Sequence, residues 1–102
     1  MAQLVIRHSP VVYIGVDFDD DDLHRVLVAI KEQHTHVTVI ADMLGVARTY
    51  FYSGFRNNSL ELSKVLELQR LLGCDLISHH QLTRAVDRLK HHLSQLFNQE
   101  PH

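Results

Sequence analysis

Between residues 37 and 73 the chain carries three short apolar-periodic runs, and the breaks between them limit what it can fold into. Val37, Ile40, Ala41 and Leu44 recur at helical spacing. They stop at Gly45, a residue that enters the left-handed backbone region without steric cost. Val46 fills the corner, and the next amphipathic run, Arg48 to Phe55, follows at once with Phe51 as its inward anchor. Arg56, Asn57 and Asn58 form a polar break. Ser59 is the expected cap of a further helix carrying Leu60, Leu62, Val65, Leu66, Leu68, Leu71 and Leu72, which Gly73 ends. Ala41 is small where one helix must press close to its neighbour. Short helices meeting at tight corners are the consequence.

The flanks extend this helical reading. Asp19 to Asp22 supply an N-cap and first-turn carboxylates, favourable at the positive end of a helix dipole. Leu23, Val26, Leu27 and Ile30 then form one helical face that ends near Gln33. Thr38 or the His34–His36 stretch opens the following helix. Upstream, residues 3–7 and 11–18 are strand-like, rich in β-branched and aromatic side chains. They could pair with each other or with a second copy of the chain. Downstream, Ser78 begins a last helix reaching about Asn98. Its apolar positions Leu82, Val86, Leu89, Leu93 and Leu96 lie at spacings of four, three, four and three, a heptad seam that Ala85 and Phe97 widen. The seam either zips two copies together or folds back onto its own core. The reading taken is the first, a homodimer interface.

The expected architecture is therefore all-α. Five helices follow a short extended or β-paired N-terminal arm over residues 1–22. The central helical domain spans 23–76, the C-terminal dimerisation helix 77–98, and a frayed tail 99–102.

Charge narrows the function classes. With 102 residues and a net charge of −2 the chain is one small domain and no polybasic protein. The distribution is uneven. Residues 1–33 hold three basic side chains against six carboxylates, whereas 34–58 hold Arg48 and Arg56 against Asp42 alone. Keeping carboxylates off one segment suits approach to a polyanion. No apolar run approaches membrane-spanning length and no secretory signal is read at the N-terminus, so the expected location is cytoplasmic, with no membrane partner. The lone Cys74 excludes an internal disulfide and any Cys-based zinc site.

Other chemistries find little footing. The nine His residues include the adjacent pairs His79–His80 and His91–His92, whose members point in different directions on a helix. No metal site and no cofactor is expected. The run DFDDDDLH lacks the Gly and distal Glu of a calcium loop, and helix capping accounts for it. A second use of the acidic run is to dock a basic partner or to cover a nucleic-acid face as a phosphate mimic. No Gly-rich phosphate loop, HExxH or triad spacing is present, so no enzyme is expected.

The segment resembles the lambda-repressor-like (Xre-type) helix-turn-helix regulators. The matching residues are the Ala41–Gly45–Val46 turn, the helix opening Ala47–Arg48–Thr49–Tyr50, and the loop from Gly54 to Asn58. The Ser59–Leu60–Glu61 opening and the Leu71–Leu72–Gly73 ending also match. The likeness covers roughly residues 23–76. Gly54 stands where members more often carry a branched apolar residue, which predicts an irregular end to the third helix. The resemblance implies a repressor-type, sequence-specific transcriptional regulator associated with the nucleoid. It would bind double-stranded DNA at an inverted-repeat operator as a homodimer, the third helix in the major groove. It further implies base contacts from Ala47, Arg48, Thr49 and Tyr52, and backbone contacts from Thr38, Tyr50, Arg56, Asn57 and Asn58. Phage repressors, antitoxins with a toxin or other protein partner, and restriction–modification controllers all fit. The alternative is a protein–protein interaction module that uses the same fold without DNA.

Overall fold

The computed structural model describes residues 1–8 and 10–98, so the tail expected to fray lies outside the described residues. Two strands, β1 (Gln3–Arg7) and β2 (Tyr13–Asp17), precede five helices. These are α1 (Asp20–Glu32), α2 (Val37–Leu44), α3 (Arg48–Arg56), α4 (Leu62–Leu72) and α5 (His79–Asn98).

The strand-like segments pair with each other as an antiparallel hairpin, with Leu4 opposite Val16 and Ile6 opposite Ile14. Leu4 and Val16 are buried in the core, and Ile14 packs against it. On the other face the Arg7 side chain crosses Gly15 to pair with Asp17. A Cβ at Gly15 would overlap the Arg7 guanidinium, so the glycine makes that crossing possible.

The acidic run caps α1 as its composition predicts. The Asp19 carboxylate accepts from the Asp21 and Asp22 N–H groups at 3.0 Å, and Asp22 Oδ2 accepts from the Asp19 N–H at 2.9 Å. This reciprocal box satisfies donors that the first turn leaves unpaired. Helix α2 ends at Gly45 with φ 74°, and α4 ends at Gly73 with φ 62°. Both are left-handed stops that a Cβ would strain. Lys64 Nζ donates to the Leu44 carbonyl at 2.7 Å, placing a cation at the negative end of α2.

Of the two openings expected for α2 the His34–His36 stretch is the one found, and two other local expectations are corrected. His36 is the N-cap of α2, without a side-chain hydrogen bond. The residue before α4 is Glu61, not Ser59. Ser59 is held instead by its backbone, its N–H donating to the Gly54 carbonyl at 3.0 Å, while Leu60 is buried beside it. Helix α3 also stays regular through Arg56. A Cβ at Gly54 would meet the Leu60 Cβ at 3.2 Å, so the missing side chain lets the α3–α4 connection close tightly.

One contiguous core joins the elements. Val26, Ile30, Ile40, Ala41, Leu44, Phe51, Phe55, Val65, Leu68 and Leu72 fill the space between α1 and α4. Ala2, Leu4, Val16, Leu76, Ile77 and Ala85 continue it between the hairpin and α5. The two terminal segments, 1–22 and 77–98, thus pack on each other. Among the described elements, α5 runs beside β1 and β2 and beside none of the other helices. Ser78 and Gln81 cap α5 reciprocally, at 2.9 and 3.1 Å. Gln81 Nε2 also donates to the Ala2 carbonyl, at 2.8 Å. The amide of Gln69 accepts from the Leu76 and Ile77 N–H groups and fixes the approach to α5.

Candidate functional site

The site grows from the way α3 is anchored. Phe51 is fully buried and Phe55 nearly so, their rings 5.4 Å apart, and Phe18 from the hairpin exit lies 4.5 Å from the Phe55 ring. With positions 51, 54 and 55 turned inward, helical geometry sends 49, 52, 53 and 56 outward, and Arg48, one turn before Phe51, stands at the border of that face in the open first turn. Arg48 and Thr49 are exposed, as is Ala47 at the N-cap. Tyr52 is half-buried, edge-on to Phe51, and the Arg48 guanidinium lies 6.0 Å from its ring centroid. That distance is at the outer reach of a cation–π contact. Thr49, Tyr52, Ser53, Arg56 and Asn57 line one shallow hollow.

The electrostatics of this face differ from those of α1. Neither α2 nor α3 has a side-chain cap or an acidic residue in its first turn. Their leading N–H groups therefore face outward without an internal anion. Thr38 is exposed in the first turn of α2. Arg48 and Arg56 make no ion pair among the described residues. Arg56 shares a second hollow with Asp19 and Asp20, so the acidic run borders the site rather than lying opposite it.

Two expected contact residues have structural tasks as well. The Tyr50 hydroxyl donates to the Ser59 carbonyl at 2.9 Å, clasping α3 to the connection that follows it. Asn58 adopts φ 53°, and its Oδ1 accepts from the Phe18 N–H at 2.8 Å, tying the same connection to the hairpin exit. Sequence reasoning missed both clasps. The signal available for Asn58 was its residue type, since Asn tolerates the left-handed region in a turn. Asn57 and Arg56 are exposed.

Away from α3, Asp22 is fully buried, and its Oδ1 has no hydrogen-bond partner among the described residues. The Met1 ammonium lies 3.8 Å and the Arg25 guanidinium 4.0 Å from that oxygen. Burial raises the Asp22 carboxyl above the usual carboxylate range despite these cations. Asp19 shifts the other way, chiefly because its carboxylate accepts from the Met1 ammonium.

Among the described residues no group of three or more His, Cys, Asp or Glu is placed to hold a metal ion. No helix among them is long and apolar enough to cross a membrane. Of the expected dimer seam, Leu82 packs on the chain's own core and Val86 and Leu89 are half-buried, while Leu93 and Leu96 are exposed. Comparison of the chain with known protein families, with characterised proteins and with solved structures returns no match.

Proposed function

We propose that the chain is a sequence-specific DNA-binding regulator of the repressor type, with α2 and α3 acting as a helix-turn-helix and α3 entering the major groove. The observation that carries this reading is the outer face of α3. It presents Arg48, Thr49 and Tyr52 with no carboxylate, on a helix with a first turn free of acid and anchored by the buried Phe51. Arg48 offers two donors to O6 and N7 of guanine. Ala47 and the Thr49 methyl pack on thymine methyl groups, and Tyr52 contacts the neighbouring base edge. Thr38 with the α2 N-terminus, Arg56, Asn57 and the free Nδ2 of Asn58 hold phosphates, which set register without reading sequence. The part of the Tyr50 side chain is to brace the α3–α4 connection, because its hydroxyl proton already serves the Ser59 carbonyl. A module of this size reads few base pairs, so the operator is an inverted repeat bound by two copies.

Selection from a random double-stranded pool at physiological salt tests this. An inverted repeat with half-sites about one helical turn apart supports it. Recovery of no common motif by folded protein overturns it. A second reading, a protein-interaction surface, draws on Val39 and Met43, which lie exposed at 46% and 57% on α2 beside the same face. Salt separates the two, since phosphate contacts weaken steeply with added salt and an apolar contact does not.

A further inference from the structure

The Asn58–Phe18 bond pins the α3–α4 connection to the hairpin exit, and beside it the two segments stand apart. Residues 13–16 of β2 face residues 58–62 across a hollow of about 390 Å³. Neighbouring residues of a strand point to opposite faces, so a hollow that touches four in succession lies along the strand's edge. That edge of β2 has no partner strand among the described residues. The facing segment is extended at Glu61, with φ −66° and ψ 146°. The hollow is therefore a slot between two backbones. Its apolar lining is fixed, since Val16 and Leu60 are buried in the core and Ile14 and Leu62 pack against it. Its charge is one-sided. The Arg7 guanidinium reaches the slot but is paired with Asp17. Glu61 also lines it, is exposed, caps α4 without a side-chain hydrogen bond and makes no ion pair among the described residues.

We infer that this slot binds a small planar organic cation, a ring that carries an amidine, guanidine or amine. The volume lies at the lower end of the range for small-molecule sites, about 300–1,000 Å³, and holds a ring with a short substituent. A space walled by two backbones suits a flat occupant. Fixed apolar side chains with a few polar groups beside them are the usual make-up of such a site. The polar groups favour donors on the ligand. Glu61 is the one unpaired charge of the lining, and the strand edge adds backbone carbonyls, which only accept. An amidinium meets a carboxylate through two parallel N–H bonds. An anion would face the Glu61 charge, and the one cation near it is already engaged by Asp17. The slot also touches the clasps that hold the end of α3. Asn58 and Ser59 line it, and they accept from the Phe18 N–H and the Tyr50 hydroxyl. Occupancy therefore acts on the connection that positions α3. Its use, to pass the presence of the ligand to bound DNA, rests on the operator-binding reading; the binding itself does not.

Titration of the full chain with benzamidine, followed by amide chemical shifts without DNA, tests this. Benzamide and benzoate, of the same shape but neutral and anionic, serve as comparisons. Benzamidine should move the amides of residues 13–16 and 59–62, with a dissociation constant of about 1 mM or below for a fragment of about nine non-hydrogen atoms. Benzamide and benzoate should bind at least about fivefold more weakly, since they lack the charge-assisted pair. Glu61→Gln should weaken benzamidine by a similar factor with the melt little changed, because its side chain is exposed and caps nothing. Glu32→Gln, an exposed carboxylate on α1, should bind as the unsubstituted chain does. Shifts that do not gather at the slot overturn the proposal. So does benzoate binding as well as benzamidine, or Glu61→Gln binding at full strength. On selected operator DNA, saturating benzamidine should change the affinity of the unsubstituted chain and not that of Glu61→Gln, and an unaltered affinity overturns the coupling to α3. A chain that binds benzamidine in the slot but selects no DNA would end the operator reading and leave this site standing.

Discussion

The N-termini of α1 and α3 carry the same backbone dipole and are treated in opposite ways. At α1 the chain supplies its own anions. Asp19 and Asp22 cap reciprocally, and Asp20 and Asp21 complete an acidic first turn. At α3 it supplies none, and Arg48 opens a first turn free of acid. Exposed donors without an internal acceptor accept an outside one, so the bare end is available to a phosphate or a base edge where the saturated end is not. The difference separates a helix start satisfied by its own side chains from one that is not, and the proposed function assigns the second to DNA.

Importing the α1 solution into α3 would break the contrast most strongly. Thr49→Asp should help cap α3 and leave the melt unchanged or raised. It should reduce affinity for selected operator DNA about a hundredfold or more, since it sets a carboxylate against the phosphates. Competition binding beside a thermal melt reads both. Arg48→Ala should cost about 1–3 kcal/mol on the cognate site and relax one base pair per half-site, with stability unchanged. Repeating the selection with that variant locates the base pair.

The corner that aims α3 can be stressed without touching its face. Gly45→Val forces a β-branched side chain into φ 74° and should destabilise the fold by about 1–2 kcal/mol in denaturant titration. Operator affinity of the remaining folded protein should change little. On the α1 side, Asp19→Ala should lower the melting temperature by removing the cap and leave operator affinity at the unsubstituted level. A gain of affinity there would mean that the acidic border repels the DNA backbone beside Arg56.

The smallest effect concerns pH. A carboxyl raised by burial binds its proton more tightly in the folded state, so Asp22 favours folding at low pH. That contribution is lost as pH rises through its raised value. Asp19, held low, contributes in the reverse sense, present above the usual carboxylate range and lost in acid. Asp22→Asn should therefore keep the cap acceptor, remove the first dependence, and melt at or above the unsubstituted chain at neutral pH. A lower melt would show that the nearby Met1 and Arg25 cations more than offset the cost of burial.

Much of the helical frame was legible in local chemistry. The start of α1 at Asp19, the ends of α2 and α4 at Gly45 and Gly73, and the start of α5 after Ser78 follow from single residues, because caps and left-handed stops act within a few residues. The start of α4 was misread, since Ser59 looks like a cap and only the burial of Leu60 against Gly54 shows that the helix begins later. Of the candidate site, the outward set Arg48, Thr49 and Tyr52 was legible once Phe51 was read as the anchor. The clasps made by Tyr50 and Asn58 were not, because each joins residues that no local period relates and that only the packed fold brings together.

The same distinction governs the last helix. By itself the sequence determined that one face of α5 is apolar, since Leu82, Val86, Leu89, Leu93 and Leu96 obey a single spacing along its length. Periodicity says that a face must be covered, not by what. Only the tertiary structure decided that the hairpin lies along the first part and ends at His92. An extended strand gains roughly twice the length per residue of a helix, so five strand residues cover the early turns of α5 and leave Leu93, Leu96 and Phe97 beyond their reach.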